Sequence, residues 1–221
     1  VKIGGLTILA GRSGTGKSSL PRLYAQSLGV SGEYLHVPVR PDWLDDRDLV
    51  GAFNVLARRF EPANSGLVEH LISAEFDQRE GRGGMFLICL DEMNLARVEH
   101  YFAQFLSVLE LPTEERRISL FAEGLASPAD PFAEHRSLLL GTNLRFLGTV
   151  NIDETTHFFS PKVLDRSQVV VFATPNLKDL PQSPARPPAR TFPTVSREVY
   201  ASWIRRSINS SARNIFIVLN D

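Results

Sequence analysis

Cysteine is nearly absent: the 221 residues include one, Cys89. A single thiol forms no intramolecular disulfide and supplies no cysteine cluster for zinc. It also sits inside the apolar run Met85-Phe-Leu-Ile-Cys-Leu90, where a packed core residue is expected. Long hydrophobic runs are missing too. That run is among the longest, against the roughly 20 residues that span a bilayer. Charge of one sign is missing as well. With 24 basic and 25 acidic side chains the formal charge is −1, which gives no global field for nucleic acid or an anionic membrane, so any such contact is local. No signal sequence opens the chain, and the expectation is a soluble protein of a reducing cytoplasm with no membrane partner.

What is present fits a globular chain. Hydrophobic residues make up 43% and charged residues 22%, ordinary values for a domain with a sizeable core. The length suits one α/β domain, or one domain with an appendage. The first residue is Val1, and Val1 to Leu6 already runs into a strand, so the chain is expected to be a piece of something longer.

Short apolar runs alternate with longer stretches of helical period, the pattern of βα units around a parallel sheet. The strands are expected at Leu6 to Ala10, Tyr34 to Val39, Met85 to Leu90, Arg145 to Val150 and Val169 to Phe172. Crossover helices are expected at Ser18 to Leu28, Gly66 to Gln78 and Val98 to Leu109. Arg117 to Phe121 and Ser137 to Leu140 read as an inserted hairpin, with a mobile tip around SPADP. Six prolines between Pro175 and Pro193 rule out a helix or interior strand and indicate an extended linker. The domain reading is therefore a core over 1–174, a linker over 175–193 and an appendage over 194–221, helical over Ser196 to Ser207 and ending in an apolar tail.

The most specific motif is Gly11-Arg-Ser-Gly-Thr-Gly-Lys-Ser18, which follows a strand and opens a helix. This is the P-loop pattern in its expected context. Backbone N–H groups converge on a phosphate at a helix N-terminus, and a Cβ at the tight positions would obstruct that approach. Gly14 and Gly16 supply the room. Lys17 brings a point charge to the β- and γ-phosphates, and the Ser18 hydroxyl suits Mg²⁺. The nucleotide-binding candidates are Gly11, Arg12, Ser13, Gly14, Thr15, Gly16, Lys17, Ser18 and Ser19.

The run Met85 to Leu90 ends in Asp91 and Glu92. A parallel strand buried on both faces presents its last side chains at the edge where open α/β sheets bind ligands. Asp91 is the metal carboxylate expected there, the second metal residue beside Ser18. Glu92 is placed to polarise an attacking water. Arg145 to Val150 likewise ends in a polar residue, Asn151, whose amide suits both a water and a γ-phosphate. Arg166, ahead of Val169-Val-Val-Phe172, is a candidate arginine finger. The catalytic candidates are thus Lys17, Glu92, Asn151 and Arg166.

Taken in order and spacing, GRSGTGKS, LICLDEMN, FLGTVNID and SPKVLDR resemble AAA+ NTPases, nearest the McrB-like restriction NTPases and their MoxR and dynein-related relatives, over about residues 1 to 173. The stretch Val39 to Gly51 is similar to that subgroup as well. The resemblance implies a three-layer αβα core around a five-stranded parallel sheet ordered 5-1-4-3-2, with an inserted hairpin and a partial C-terminal helical lid. It implies a homo-oligomeric ring, commonly hexameric, with nucleotide at each interface. Asn151 would be its first sensor, Arg166 would reach a neighbour's γ-phosphate, Asp165 would orient that arginine, and Arg213 is the second-sensor candidate. Kinship alone implies a nuclease or effector partner and DNA. Val150-Asn-Ile-Asp-Glu154 departs from the sensor stretch of the GTP-using McrB proteins, so ATP with Mg²⁺ is the expected cofactor by family frequency and GTP the alternative.

The histidines His36, His70, His100, His135 and His157 lack ligand spacing and read as surface or packing residues. Trp43 and Trp203 read as packing residues too. The expected activity is Mg²⁺-dependent NTP hydrolysis coupled to work on a macromolecule. A low-turnover assembly switch and a small-molecule kinase stand as alternatives from other classes.

Overall fold

A computed structural model of the chain describes residues 5–152, 157–173 and 194–203. The linker over 175–193, Asp153, Glu154, Arg213 and the apolar tail lie outside the described residues. Strand β1 (Leu6–Gly11) leads through the glycine-rich loop into helix α1 (Ser19–Ser27), followed by β2 (Tyr34–Pro38). Next come a short helix α2 (Arg47–Val50), a hairpin of β3 (Gly51–Asn54) and β4 (Arg59–Pro62), and the long helix α3 (Leu67–Glu80). Strand β5 (Phe86–Asp91), helices α4 (Val98–Tyr101) and α5 (Ala103–Val108), and a second hairpin of β6 (Arg117–Ser119) and β7 (Ser137–Leu139) follow. Strand β8 (Leu144–Asn151), helix α6 (Pro161–Leu164), β9 (Ser167–Phe172) and α7 (Arg197–Trp203) complete the described chain.

The main sheet runs β2-β5-β8-β1-β9, all parallel, the 5-1-4-3-2 order that the resemblance implies. Side chains alternate along each strand, so β5 serves two cores. Phe86, Ile88 and Leu90 pack with α3, α4 and α5, while Leu87 packs on the other face with Ala25 and Leu28 at the α1 end and with Val195 and Tyr200. Helices on both faces of one sheet make the three-layer α/β P-loop fold. Among the described residues no helix is long and apolar enough to cross a membrane.

Register positions the site. Gly11 pairs with Asn151 across β1 and β8. Leu90 pairs with Gly148 across β5 and β8, which brings Asp91 beside Thr149, and Pro38 of β2 pairs with Asp91. The last residues of three strands therefore meet at one sheet edge, where the glycine-rich loop also lies.

Three local expectations change. Val98 to Leu109 is two helices joined at Phe102 (φ −112°, ψ 12°). In one unbroken helix, adjacent residues lie about 100° apart. The break lets Tyr101, Phe102, Phe105 and Leu106 all be fully buried, with Phe102 stacked on Phe105 at 4.7 Å. The β3–β4 hairpin has no counterpart in the expected strands. The SPADP tip is tied down: Asp130 is 7% exposed, its Oδ2 accepts from Phe60 N at 2.7 Å and its Oδ1 from Phe132 N at 2.8 Å. Phe53 and Phe60 pack against Phe121, and Phe60 against Phe132. The two insertions are thus one packed unit.

Helix α7 docks at the opposite sheet edge from the glycine-rich loop. Val195 N donates to Leu28 O at 2.8 Å and Arg197 N to Gly83 O at 2.9 Å, while the Arg145 guanidinium lies over the Tyr200 ring.

Candidate active site

The loop between β1 and α1 is shaped by two residues with positive φ, Gly14 (+78°) and Gly16 (+84°), a region that side chains with a Cβ avoid. A Cβ built on either would meet no atom within 4 Å. The open space beside the loop is a cradle that side chains would fill, as phosphate binding requires. Ser19 N and Leu20 N both donate to Gly16 O, so α1 starts directly from the loop and turns its positive dipole end toward the cradle. Gly11 ends β1, Arg12 and Ser13 are exposed, and the Thr15 hydroxyl braces the turn on Arg12 O at 2.8 Å. Lys17 is buried at 4% exposure; its Nζ donates to Arg12 O at 2.5 Å and to Thr15 Oγ1 at 3.4 Å. The ammonium is thereby folded into the loop that it serves.

Beside the cradle stand the two acids. Asp91 is partly buried and tightly bonded: Thr149 Oγ1 donates to its Oδ1 at 2.5 Å, and His36 Nε2 lies 3.2 Å from its Oδ2. Burial pushes this carboxyl up, but the bonds from Thr149, Ser18 and His36 and the nearby imidazole outweigh it and hold the group below the usual carboxylate range. The Ser18 hydroxyl and the ionised Asp91 carboxylate, both beside the glycine-rich loop, make a hard-oxygen donor set that fits Mg²⁺.

Glu92 has a left-handed backbone, φ 53° and ψ 48°, which costs a residue with a Cβ about 1–3 kcal/mol. Three contacts hold it. Its N–H donates to Thr149 Oγ1 at 2.9 Å, its carbonyl accepts from Leu95 N at 2.9 Å, and its Oε1 accepts from Asn151 Nδ2 at 3.4 Å. The next carbonyl, of Met93, accepts from the fully buried Tyr101 hydroxyl at 2.9 Å. Asn94 Nδ2 donates to Asn151 O at 3.1 Å, which ties the turn to the end of β8.

The structure therefore brings Lys17, Ser18, Asp91, Glu92 and Asn151 to one sheet edge. Within the chain Arg166 is not among them. It precedes Ser167, which pairs with Leu6 at the start of β1, whereas the loop leaves the end of β1 roughly 17 Å away at 3.3 Å per residue. Its guanidinium is bonded to Glu110 Oε2 at 2.8 Å and Lys162 O at 2.9 Å.

Two neighbours of Asp91 escape the sequence reading. Thr149 is a buried hydroxyl on the same face of β8 as Asn151, and that alternation is the signal for it. His36 has no ligand spacing, yet it touches Asp91 from 55 positions away. It also lines a cleft of about 400 Å³ with Arg40, Trp43, Arg47, Asn64 and Ser65. Trp43 meets the Tyr101 ring edge-on at 5.2 Å, so part of the Val39 to Gly51 segment backs the turn after Glu92.

The profile of AAA domains of the dynein-related subfamily matches residues 7–167. The chain belongs to this family. AAA domains are P-loop NTPases that bind nucleotide with Mg²⁺ and generally hydrolyse ATP, and the loop and carboxylates described above fall within the matched stretch. No curated protein matches the chain. Among solved structures it is similar to C. elegans PCH-2, at 17% identity over 80% of this chain and 37% of that one, with a TM-score of 0.42. It is also similar to the E. coli MS115-1 HORMA:CdnC:Trip13 complex, at 16% identity over 78% of this chain and 49% of that one, with a TM-score of 0.34. This AAA domain spans less than half of each of those chains.

Proposed function

We propose that the chain is a Mg²⁺-dependent NTPase module, using ATP with GTP as the alternative, that works in a homo-oligomeric ring to remodel or translocate a macromolecule. A McrB-like restriction or defence system, with a nuclease or effector partner and DNA as substrate, is the setting that its motifs resemble. The observation that carries the reading is the meeting of Lys17, Ser18, Asp91, Glu92 and Asn151 at the end of one sheet.

Each residue has a defined task. Lys17 leaves Arg12 O to balance the charge of the β- and γ-phosphates, and the loop amides cradle them. Ser18 and Asp91 hold Mg²⁺, which when bound neutralises charge on the phosphate oxygens. Glu92 orients the attacking water, and Asn151 holds the Glu92 carboxylate in line through its side-chain amide. Arg166 completes the charge compensation from a neighbouring subunit, since its own cradle is at the other end of the sheet.

The test is multiple-turnover phosphate release from ATP and from GTP with Mg²⁺, with oligomer size measured on the same samples. Turnover abolished by Lys17→Ala is expected. Nucleotide binding by an assembled sample without phosphate release would replace this reading with that of a nucleotide-dependent assembly switch.

A further inference from the structure

We propose that Thr149 is a positioning residue for hydrolysis, its hydroxyl acting as a clip that fixes the metal carboxylate Asp91 and the water-orienting Glu92 relative to each other. This inference rests on the NTPase reading above. One oxygen makes both contacts: it donates its proton to Asp91 Oδ1 at 2.5 Å and accepts from Glu92 N at 2.9 Å. A hydroxyl has a single proton, so the two bonds fix its direction. Thr149 is 1% exposed, and a buried hydroxyl is unfavourable unless bonded. Valine, equal in shape, would suit an interior parallel strand better. The hydroxyl is explained by the two acids that it joins.

The consequence is directional. With Oδ1 committed to Thr149, the Asp91 carboxylate cannot turn freely about its last bond, and its Oδ2 edge is left to His36. Glu92 is held at both ends, by Thr149 at its amide and by Asn151 at its carboxylate. Thr149 and Asn151 lie two residues apart on one face of β8, so a single strand sets the spacing of metal site and water site. Without the hydroxyl, Asp91 gains a rotation and the Glu92 amide loses its partner, while Lys17 and the glycine-rich loop are untouched.

The experiment compares wild type, T149V and T149S in the full-length protein. One readout is the Mg²⁺ concentration that half-saturates binding of a fluorescent ATP analogue; the other is phosphate release at saturating Mg²⁺, resolved into kcat and KM. In T149V the Mg²⁺ requirement is expected to rise and kcat to fall by about 10–100-fold, the usual effect of losing a partner that orients a metal ligand. KM is expected to stay within about threefold. T149S keeps the hydroxyl and should stay near wild type in both readouts. Wild-type behaviour of T149V overturns the proposal. So does a T149S as impaired as T149V, since the methyl group would then be what matters. Thermal melting checks folding, and T149A replaces T149V under the same expectations if the latter does not fold. If wild type binds nucleotide with Mg²⁺ but releases no phosphate, the hydrolysis reading fails and the Mg²⁺ titration alone decides: a shift in T149V retains the clip and no shift removes it. A wild type that binds no nucleotide overturns both.

Discussion

Arg166 is clamped to Glu110 by a 2.8 Å ion pair within its own chain, at the sheet edge away from the glycine-rich loop. The pair is only partly exposed, and Lys162 O receives a second bond from the same guanidinium. These contacts fix the side chain's direction while keeping it out of its own cradle. Arg166→Ala is expected to lower kcat by on the order of 10³-fold or more if the arginine serves a neighbour. Mixed with Glu92→Gln subunits, the variant should recover part of the activity, because some interfaces then combine an intact glutamate with an intact arginine. No recovery in an assembly shown to mix rejects the assignment.

Tyr101 donates to Met93 O immediately after the left-handed Glu92. Tyr101→Phe keeps the ring against Trp43 but leaves a buried carbonyl without that donor. A loss of about 1–3 kcal/mol is expected in urea unfolding, together with a fall in kcat that exceeds any change in KM. Unchanged unfolding would show that the bond contributes nothing to holding the turn.

Burial lowers the pKa of His70 from 6.5 to about 4, and a hydrogen bond to the Glu33 backbone offsets this in part. Its ring packs against Phe86. Between about pH 6.5 and 4 the unfolded chain binds a proton that the folded chain excludes, so acidification lowers stability through that window. With the ring partly exposed, the effect is on the order of 2 kcal/mol. His70→Leu should flatten the difference between unfolding measured near pH 7.5 and near pH 4.5; an equal acid slope in both proteins would assign that slope to other groups.

Asp130 joins the two insertions by accepting from Phe60 N and Phe132 N. Asp130→Ala strands both amides and is expected to cost about 1–3 kcal/mol. Hydrogen exchange should quicken at Phe60 and Phe132 while the amides of β5 stay protected. Equal protection in wild type and variant would mean that the aromatic cluster alone holds the insertions together.

The cradle and its two acids are legible because each is written in a few consecutive residues: glycines where φ is positive, a lysine and a hydroxyl at a helix start, and carboxylates where an apolar run stops. The strand order follows from the resemblance, since spacing alone does not say that β8 lies between β5 and β1. The β3–β4 hairpin escapes notice because Gly51-Ala-Phe-Asn and Arg-Phe-Glu-Pro are short and lack a clear alternation; Phe53 and Phe60 find their partner in Phe121, far along the chain. The break at Phe102 is a tertiary effect of burying neighbouring aromatic side chains. Thr149 is hinted at by its alternation with Asn151, but its contact with Asp91, like that of His36, is set by strand register and not by local sequence.

Lys17 already has an internal acceptor in Arg12 O. In the proposed NTPase cycle, nucleotide capture would therefore exchange one bond for another, with a smaller net gain than a free ammonium would give. On that reading a grip weakened in this way would also loosen readily, since the departing product would hand the lysine back to its own backbone, favouring repeated cycling over permanent retention.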